Sequence, residues 1–185
     1  MYQKIGKYII RNWQIQDAPF IAKHANNRKI WLNLRDAFPY PYSLEDAKVF
    51  ISRALEADPV TIFAIATESE AIGSIGLMIG KDVHRFTAEM GYWLSEPYWG
   101  RGIMTDAVQF LTAWAFRELK LHRISAEPYC TNTASHRVLE KAGFTREGVL
   151  RSSAFKAGKI IDQFLYSQIG NAVTQPINSA DPKGG

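Results

Sequence analysis

Apolar and polar positions along the chain follow a strand-like period in some stretches and a helical one in others. The switches between the two mark out the elements. From Lys7 to Trp13 the pattern alternates, with Tyr8 and Ile10 opposite Ile9 and Arg11, which predicts a strand. Asp17 is placed to cap a first helix running through His24. The segment Asn26 to Tyr42 mixes aromatics, asparagines and two prolines and predicts a loop or a short helix. Ser43-Leu-Glu-Asp46 resembles a capping box with Asp in place of Glu. It opens a helix through about Ala57 that gathers Leu44, Ala47, Phe50, Ile51, Ala54 and Leu55 on one side. Three strand-like runs follow, Val60–Thr67, Ala71–Gly80 and Phe86–Ser95, joined by short polar turns as an antiparallel meander.

The pattern then changes. Glu96 to Gly102 is a glycine-containing turn, and a helix runs from about Met104 to Leu119 on the apolar face Val108, Leu111, Ala115 and Leu119. Strand Arg123–Glu127 and helix Thr133–Ala142 come next, the helix closed by Gly143. Two last strands, Phe144–Phe155 and Lys159–Ile169, meet at the hairpin turn Lys156-Ala-Gly158. The order predicts an α+β fold: a single-domain mixed, mostly antiparallel sheet flanked by helices. The domain is expected to span residues 1–169. Residues 170–185 are polar, lack periodicity and are expected to form a disordered tail.

Composition narrows the function classes. The chain of 185 residues is 46% hydrophobic and 22% charged, with a net charge of +4, as an ordinary globular domain would be. No run approaches the ~18 apolar residues of a membrane span, and the N-terminus does not read as a signal peptide. The single cysteine, Cys130, excludes an intrachain disulfide, so a cytoplasmic location and no membrane partner are expected. His24, His84, His122 and His136 show no ligand spacing, so no metal is expected. Acids are interspersed among the bases and no run of five basic residues occurs, which argues against a nucleic-acid partner.

The strongest chemical signal is Trp99-Gly-Arg-Gly-Ile-Met-Thr105, set between a strand and a helix start. Glycines let a backbone approach a ligand, and the first helical N–H groups lack partners and carry partial positive charge. Together they suit an anion such as a pyrophosphate. The plainer alternative is a tight turn, with Arg101 pointing to solvent. The pattern is neither GxxxxGK[ST] nor GxGxxG, so triphosphate hydrolysis and dinucleotide binding are poorly supported. On the preceding strand, Glu89, Gly91 and Trp93 share one face and Met90, Tyr92 and Leu94 the other. Glu89 is the candidate general base, against the alternative of a carboxylate paired with Arg or Lys across the sheet or simply solvated. Asp36 and Glu127 are lesser candidates.

The stretch AEMGYWLSEPYWGRGIMTDAV, followed by NTASHRVLEKAGF, resembles the GNAT superfamily of acetyl-CoA-dependent N-acetyltransferases. Within it the likeness is to the branch of ribosomal-protein alanine and serine N-terminal acetyltransferases, to which WLNLRDAFPYPYSLEDA and EGVLRSSAFKAGKIIDQFLYS add. The superfamily loop Q/R-x-x-G-x-G/A becomes Trp99 to Met104, with Trp99 and Met104 as departures and Gly102 kept. The resemblance implies a GNAT-like fold that binds acetyl-CoA through Trp93, Leu94, Gly100, Arg101, Gly102, Ile103, Met104, Thr105 and Asn132. It implies Ser135 as a proton donor to the leaving thiolate. Leu139 stands where other branches keep a tyrosine, and Arg151 to Ala154 lacks the glutamate some relatives use. Asn132 has the alternative of a helix cap, and Ser135 that of a surface hydroxyl. Trp31, Asn33, Arg35, Phe38 and Tyr40 would wall the acceptor site, or pack under a loop. The function implied is acetyl transfer to a primary amine, either a protein N-terminal Ala or Ser or a small amine. A non-catalytic acetyl-CoA-binding module is the alternative. A homodimer is a further expectation of the resemblance.

Overall fold

The computed structural model describes residues 1–170. Of the predicted tail it includes Gly170, which is buried and donates its N–H to the His122 carbonyl at 2.9 Å; the rest lies outside the described residues. Eight strands form one sheet in the order β1-β2-β3-β4-β5-β6-β8-β7. The strands are β1 (Tyr2–Ile5), β2 (Tyr8–Arg11), β3 (Ile62–Ala66), β4 (Ala71–Ile79), β5 (Thr87–Leu94), β6 (Arg123–Ala126), β7 (Thr145–Lys156) and β8 (Lys159–Ile169). Every pairing is antiparallel except β5 with β6. The helices are α1 (Ala18–Ala25), α2 (Arg28–Trp31), α3 (Leu44–Glu56), α4 (Ile103–Glu118) and α5 (Thr133–Lys141). Among the described residues no helix is long and apolar enough to cross a membrane.

Two expectations near the N-terminus are corrected. The strand placed at Lys7–Trp13 is the second arm of a hairpin, because Gly6, at φ 58°, turns the chain so that Ile5 pairs with Tyr8. Asp17 precedes α1, but its carboxylate caps nothing there. It takes both arms of the Arg11 guanidinium at 2.7 Å and the Gln14 N–H at 2.9 Å. A bidentate charged pair is stronger than a lone cap, so β2 outcompetes α1 for this side chain. At α3 the capping box forms as predicted, with Ser43 Oγ accepting from the Asp46 N–H and Asp46 accepting from the Ser43 N–H.

Alternation along β5 divides the core. Met90 and Leu94 pack with Val108, Leu111 and Leu139 beneath α4 and α5. Trp93 packs with Ile21, Ile51 and Ala64 beneath α1 and α3. Gly73 allows β4 to lie against β5: a Cβ there would stand 2.6 Å from the Trp93 carbonyl oxygen. The β7–β8 hairpin turns through Ala157 and Gly158, both with positive φ, as a tight two-residue turn requires.

Candidate active site

The parallel pairing of β5 with β6 stops early. Its register is Thr87 with Arg123, Ala88 with Ile124 and Glu89 with Ser125, whereas β5 stays paired with β4 as far as Leu94. The last half of β5 therefore has one open edge. The Thr87 carbonyl accepts from Gly80 on the β4 side, and the Phe86 carbonyl accepts from His122 on the β6 side. Because backbone direction alternates along a strand, Tyr92 and Leu94 turn their N–H and C=O groups toward the open edge, and Trp93 turns its own toward β4. The Leu94 carbonyl is already engaged by Trp99 Nε1 at 2.7 Å.

The predicted anion loop lies at the end of that open edge. Gly100 and Gly102 adopt φ of 74° and 78°, a region that strongly favours glycine. A Cβ added at either would meet nothing within 4 Å, so backbone conformation and not crowding requires glycine here. Gly102 is the N-cap of α4 and provides no side-chain cap; the first helical hydrogen bond is Asp106 N–H to the Gly102 carbonyl. The N–H groups of Ile103, Met104 and Thr105 thus stand ahead of the helical ladder, at the positive end of its dipole. The side chains of Ile103 and Met104 are buried, which anchors this turn in the core. Arg101 does not reach over the loop: it donates to the Pro97 carbonyl at 2.8 Å and lies against the Tyr98 ring.

Glu89 faces the α1–α3 side and is paired with the guanidinium of Arg35. Nearby, a cleft of about 360 Å³ is lined by Arg35, Asp36, Glu127, Tyr129, Phe155 and Gln163, among others. Burial raises the Glu127 carboxyl, the Glu89 charge raises it further, and Arg35 opposes both. On the opposite face, Ser135 Oγ lies 2.6 Å from the Tyr92 hydroxyl. Burial pushes the Tyr92 phenol up, so it stays protonated as a donor. Asn132 caps α5 by accepting from the Ser135 N–H at 3.1 Å, which leaves its amide NH₂ available. Carboxylate and hydroxyl pairs therefore approach the open edge from the two faces of the sheet.

The 26–42 segment is distributed, not gathered. Arg35 lines the first cleft, and Asn33 lines a second, whereas Trp31, Phe38 and Tyr40 line neither. Phe38 packs on Tyr42 and Trp93, and Trp31 on Tyr40. Lys156, from the end of β7, is only 3% exposed along its side chain, donates to Asp36 at 2.7 Å and sits 3.9 Å over the Trp31 ring. This clasp, the Tyr92–Ser135 pair and the Arg35–Glu89 pair join residues far apart in sequence, and no local pattern announces them. Two signals were available for Tyr92: its position on the face opposite Glu89, and the missing family tyrosine at Leu139.

Comparison with known proteins decides the family. A model described as an acetyltransferase (GNAT) domain matches residues 7–145. The chain belongs to the GNAT acetyltransferase family. YjcK of Bacillus subtilis (strain 168), named a probable N-acetyltransferase, is 45% identical over 101 residues, covering 54% of this chain and 56% of that protein. The match thus spans little more than half the length of that relative. The ribosomal-protein-serine acetyltransferase of Escherichia coli (strain K12) is 33% identical over 108 residues, covering 58% and 60% of the two chains. Among solved structures, RimL, a ribosomal alpha-N-protein acetyltransferase in complex with coenzyme A, superposes with a TM-score of 0.81 at 22% identity. The superposition covers 91% of this chain and 98% of that one.

Proposed function

We propose that this GNAT protein transfers an acetyl group from acetyl-CoA directly to a primary amine, with a protein N-terminal serine or alanine as the acceptor. The early end of the β5–β6 pairing, beside an uncapped helix start, carries the reading. The residues present fit the cofactor: the loop at Gly100 and Gly102 is open on its Cβ side, and the α4 amides have no competing cap. The N–H groups from Gly100 to Thr105 would hold the pyrophosphate. The Tyr92 backbone and the Leu94 N–H would hold the pantetheine, with the Asn132 amide nearby. Acetyl-CoA, when bound, supplies an electrophilic thioester carbonyl and a thiolate leaving group.

The chain's own groups then handle protons. An α-ammonium with a pKa near 8 must lose a proton before it can attack. Glu89 is the candidate for this task by sequence, but it is held by Arg35. Glu127 has a proton affinity raised by burial first and by the Glu89 charge second, and a place in the cleft wall, so it is the better base. The Ser135 hydroxyl, backed by Tyr92, donates to the departing thiolate. The Glu127 carboxylate suits an ammonium, and the names of the relatives support a protein N-terminus. A cytoplasmic site of action accords with the single unpaired cysteine.

The test is acceptor-dependent CoA release from acetyl-CoA over a panel of Ser- and Ala-initiated peptides and small amines. The expected result is turnover with peptides. Cofactor binding without release for any amine would overturn the proposal in favour of a binding module.

A further inference from the structure

A second cleft, about 430 Å³, adjoins the first and has the opposite electrostatic character. It is lined by Arg28, Leu32, Asn33, Thr131, Lys156, Ala157, Lys159 and Ile161, a lining without a carboxylate. Lys156 is already matched by Asp36. Among the described residues, neither Arg28 nor Lys159 has a carboxylate within 4.0 Å, and neither side chain makes a hydrogen bond. Two unmatched cations thus flank apolar Leu32 and Ile161 and the polar groups of Asn33 and Thr131.

Both clefts lie between the same two chain segments. The first uses Arg35 and Asp36 against Ser153 to Phe155, and the second uses Arg28 to Asn33 against Lys156 to Lys159. The Lys156–Asp36–Trp31 clasp stands where they meet. The first cleft carries Glu127 and Asp36 beside Arg35, and the second, toward the hairpin turn, carries the unmatched cations Arg28 and Lys159. At about 3.3 Å per residue, the four-residue offset along β8 between Gln163 in the first cleft and Lys159 in the second is about 13 Å, or about four residues of extended peptide.

We infer that the second cleft recognises a carboxylate side chain in the acceptor, a few residues downstream of the amine to be acetylated. The acceptor is then a peptide N-terminus with Asp or Glu at one of positions three to five. The inference rests on the proposed acetyl transfer and refines its substrate class.

The probes are Ser-initiated hexapeptides carrying a single Asp, Asn or Lys at each of positions two to six. Steady-state CoA release is measured for the wild type and for R28E/K159E and R28Q/K159Q, with thermal melts to check folding. Each solvent-facing ion pair contributes modestly, so one Asp position should raise kcat/KM roughly three- to tenfold over Asn. R28Q/K159Q should abolish that preference, and R28E/K159E should turn it toward Lys. Equal turnover of Asp and Asn peptides at every position, or a preference that survives both variants, overturns the inference. Calorimetric binding of the same peptides to the CoA-loaded protein separates the two claims. Asp-selective binding without turnover sustains this cleft and defeats the acetyl-transfer proposal; non-selective binding defeats this cleft.

Discussion

Removing the two partners of the Lys156–Asp36 pair should have unequal consequences. Lys156 is 3% exposed along its side chain and Asp36 is 70% exposed. Truncating Asp36 to Ala leaves an ammonium out of water with the Trp31 ring as its remaining charge partner. Breaking a fully buried pair costs about 3–5 kcal/mol. Cation–π stabilisation of about 1 kcal/mol offsets part of that, giving about 2–4 kcal/mol for Asp36→Ala. Lys156→Met removes the buried charge itself, leaves Asp36 in water and keeps an apolar stem, so it should cost about 1 kcal/mol or less. The double variant should resemble Lys156→Met alone, a coupling as large as the Asp36→Ala cost itself, about 2–4 kcal/mol. Urea denaturation of the four proteins measures these differences as shifts in midpoint at constant slope. Lys156→Met at least as destabilising as Asp36→Ala, or a double variant equal to the sum of the singles, would refute the reasoning.

Three further outcomes follow from the site and its supports. Burial raises the Glu127 carboxyl, Glu89 raises it further and Arg35 lowers it. The acidic limb of the kcat/KM profile should therefore move to lower pH in Glu89→Gln and to higher pH in Arg35→Gln; limbs that stay put would remove Glu127 from the proton path. Tyr92→Phe should lower kcat about tenfold or more while leaving acetyl-CoA affinity within about twofold, measured by single turnover and calorimetry. The Arg123 guanidinium and Ser167 hydroxyl hold Glu147 at about 2. A carboxyl lowered on folding contributes stability above its ordinary pKa, and loses it as pH falls toward 2. Glu147 is about a third exposed, so Glu147→Gln should cost up to about 1 kcal/mol at pH 7 after solvent screening. The difference from wild type should vanish by about pH 2, as acid-unfolding curves would register.

Periodic segments were legible and non-local pairings were not. The α3 capping box, the α4 and α5 starts and the β7–β8 turn at Ala157-Gly158 follow from residues within a few positions of one another. The β1 strand was missed because only its last residue, Ile5, is buried at the sheet edge, so no alternation marks it. The glycine loop could be read because left-handed φ leaves a compositional mark. The Arg35–Glu89 pair and the clasp left none, since residues 54 and 120 positions apart meet only once the sheet has formed. The backbone pointing of β5 also needed the structure. Sequence alternation identifies the faces of side chains, but the direction of the Tyr92 and Leu94 amides depends on which neighbour pairs where.

An amide-resolved titration of the protein with CoA tests the central claim most directly, because that claim names particular N–H groups. The largest ¹H–¹⁵N shift changes should fall on Gly100 to Thr105 and on Tyr92 and Leu94, with Trp93, paired to β4, changing less. Changes centred on the Arg28–Lys159 cleft, with residues 100–105 unmoved, would contradict it.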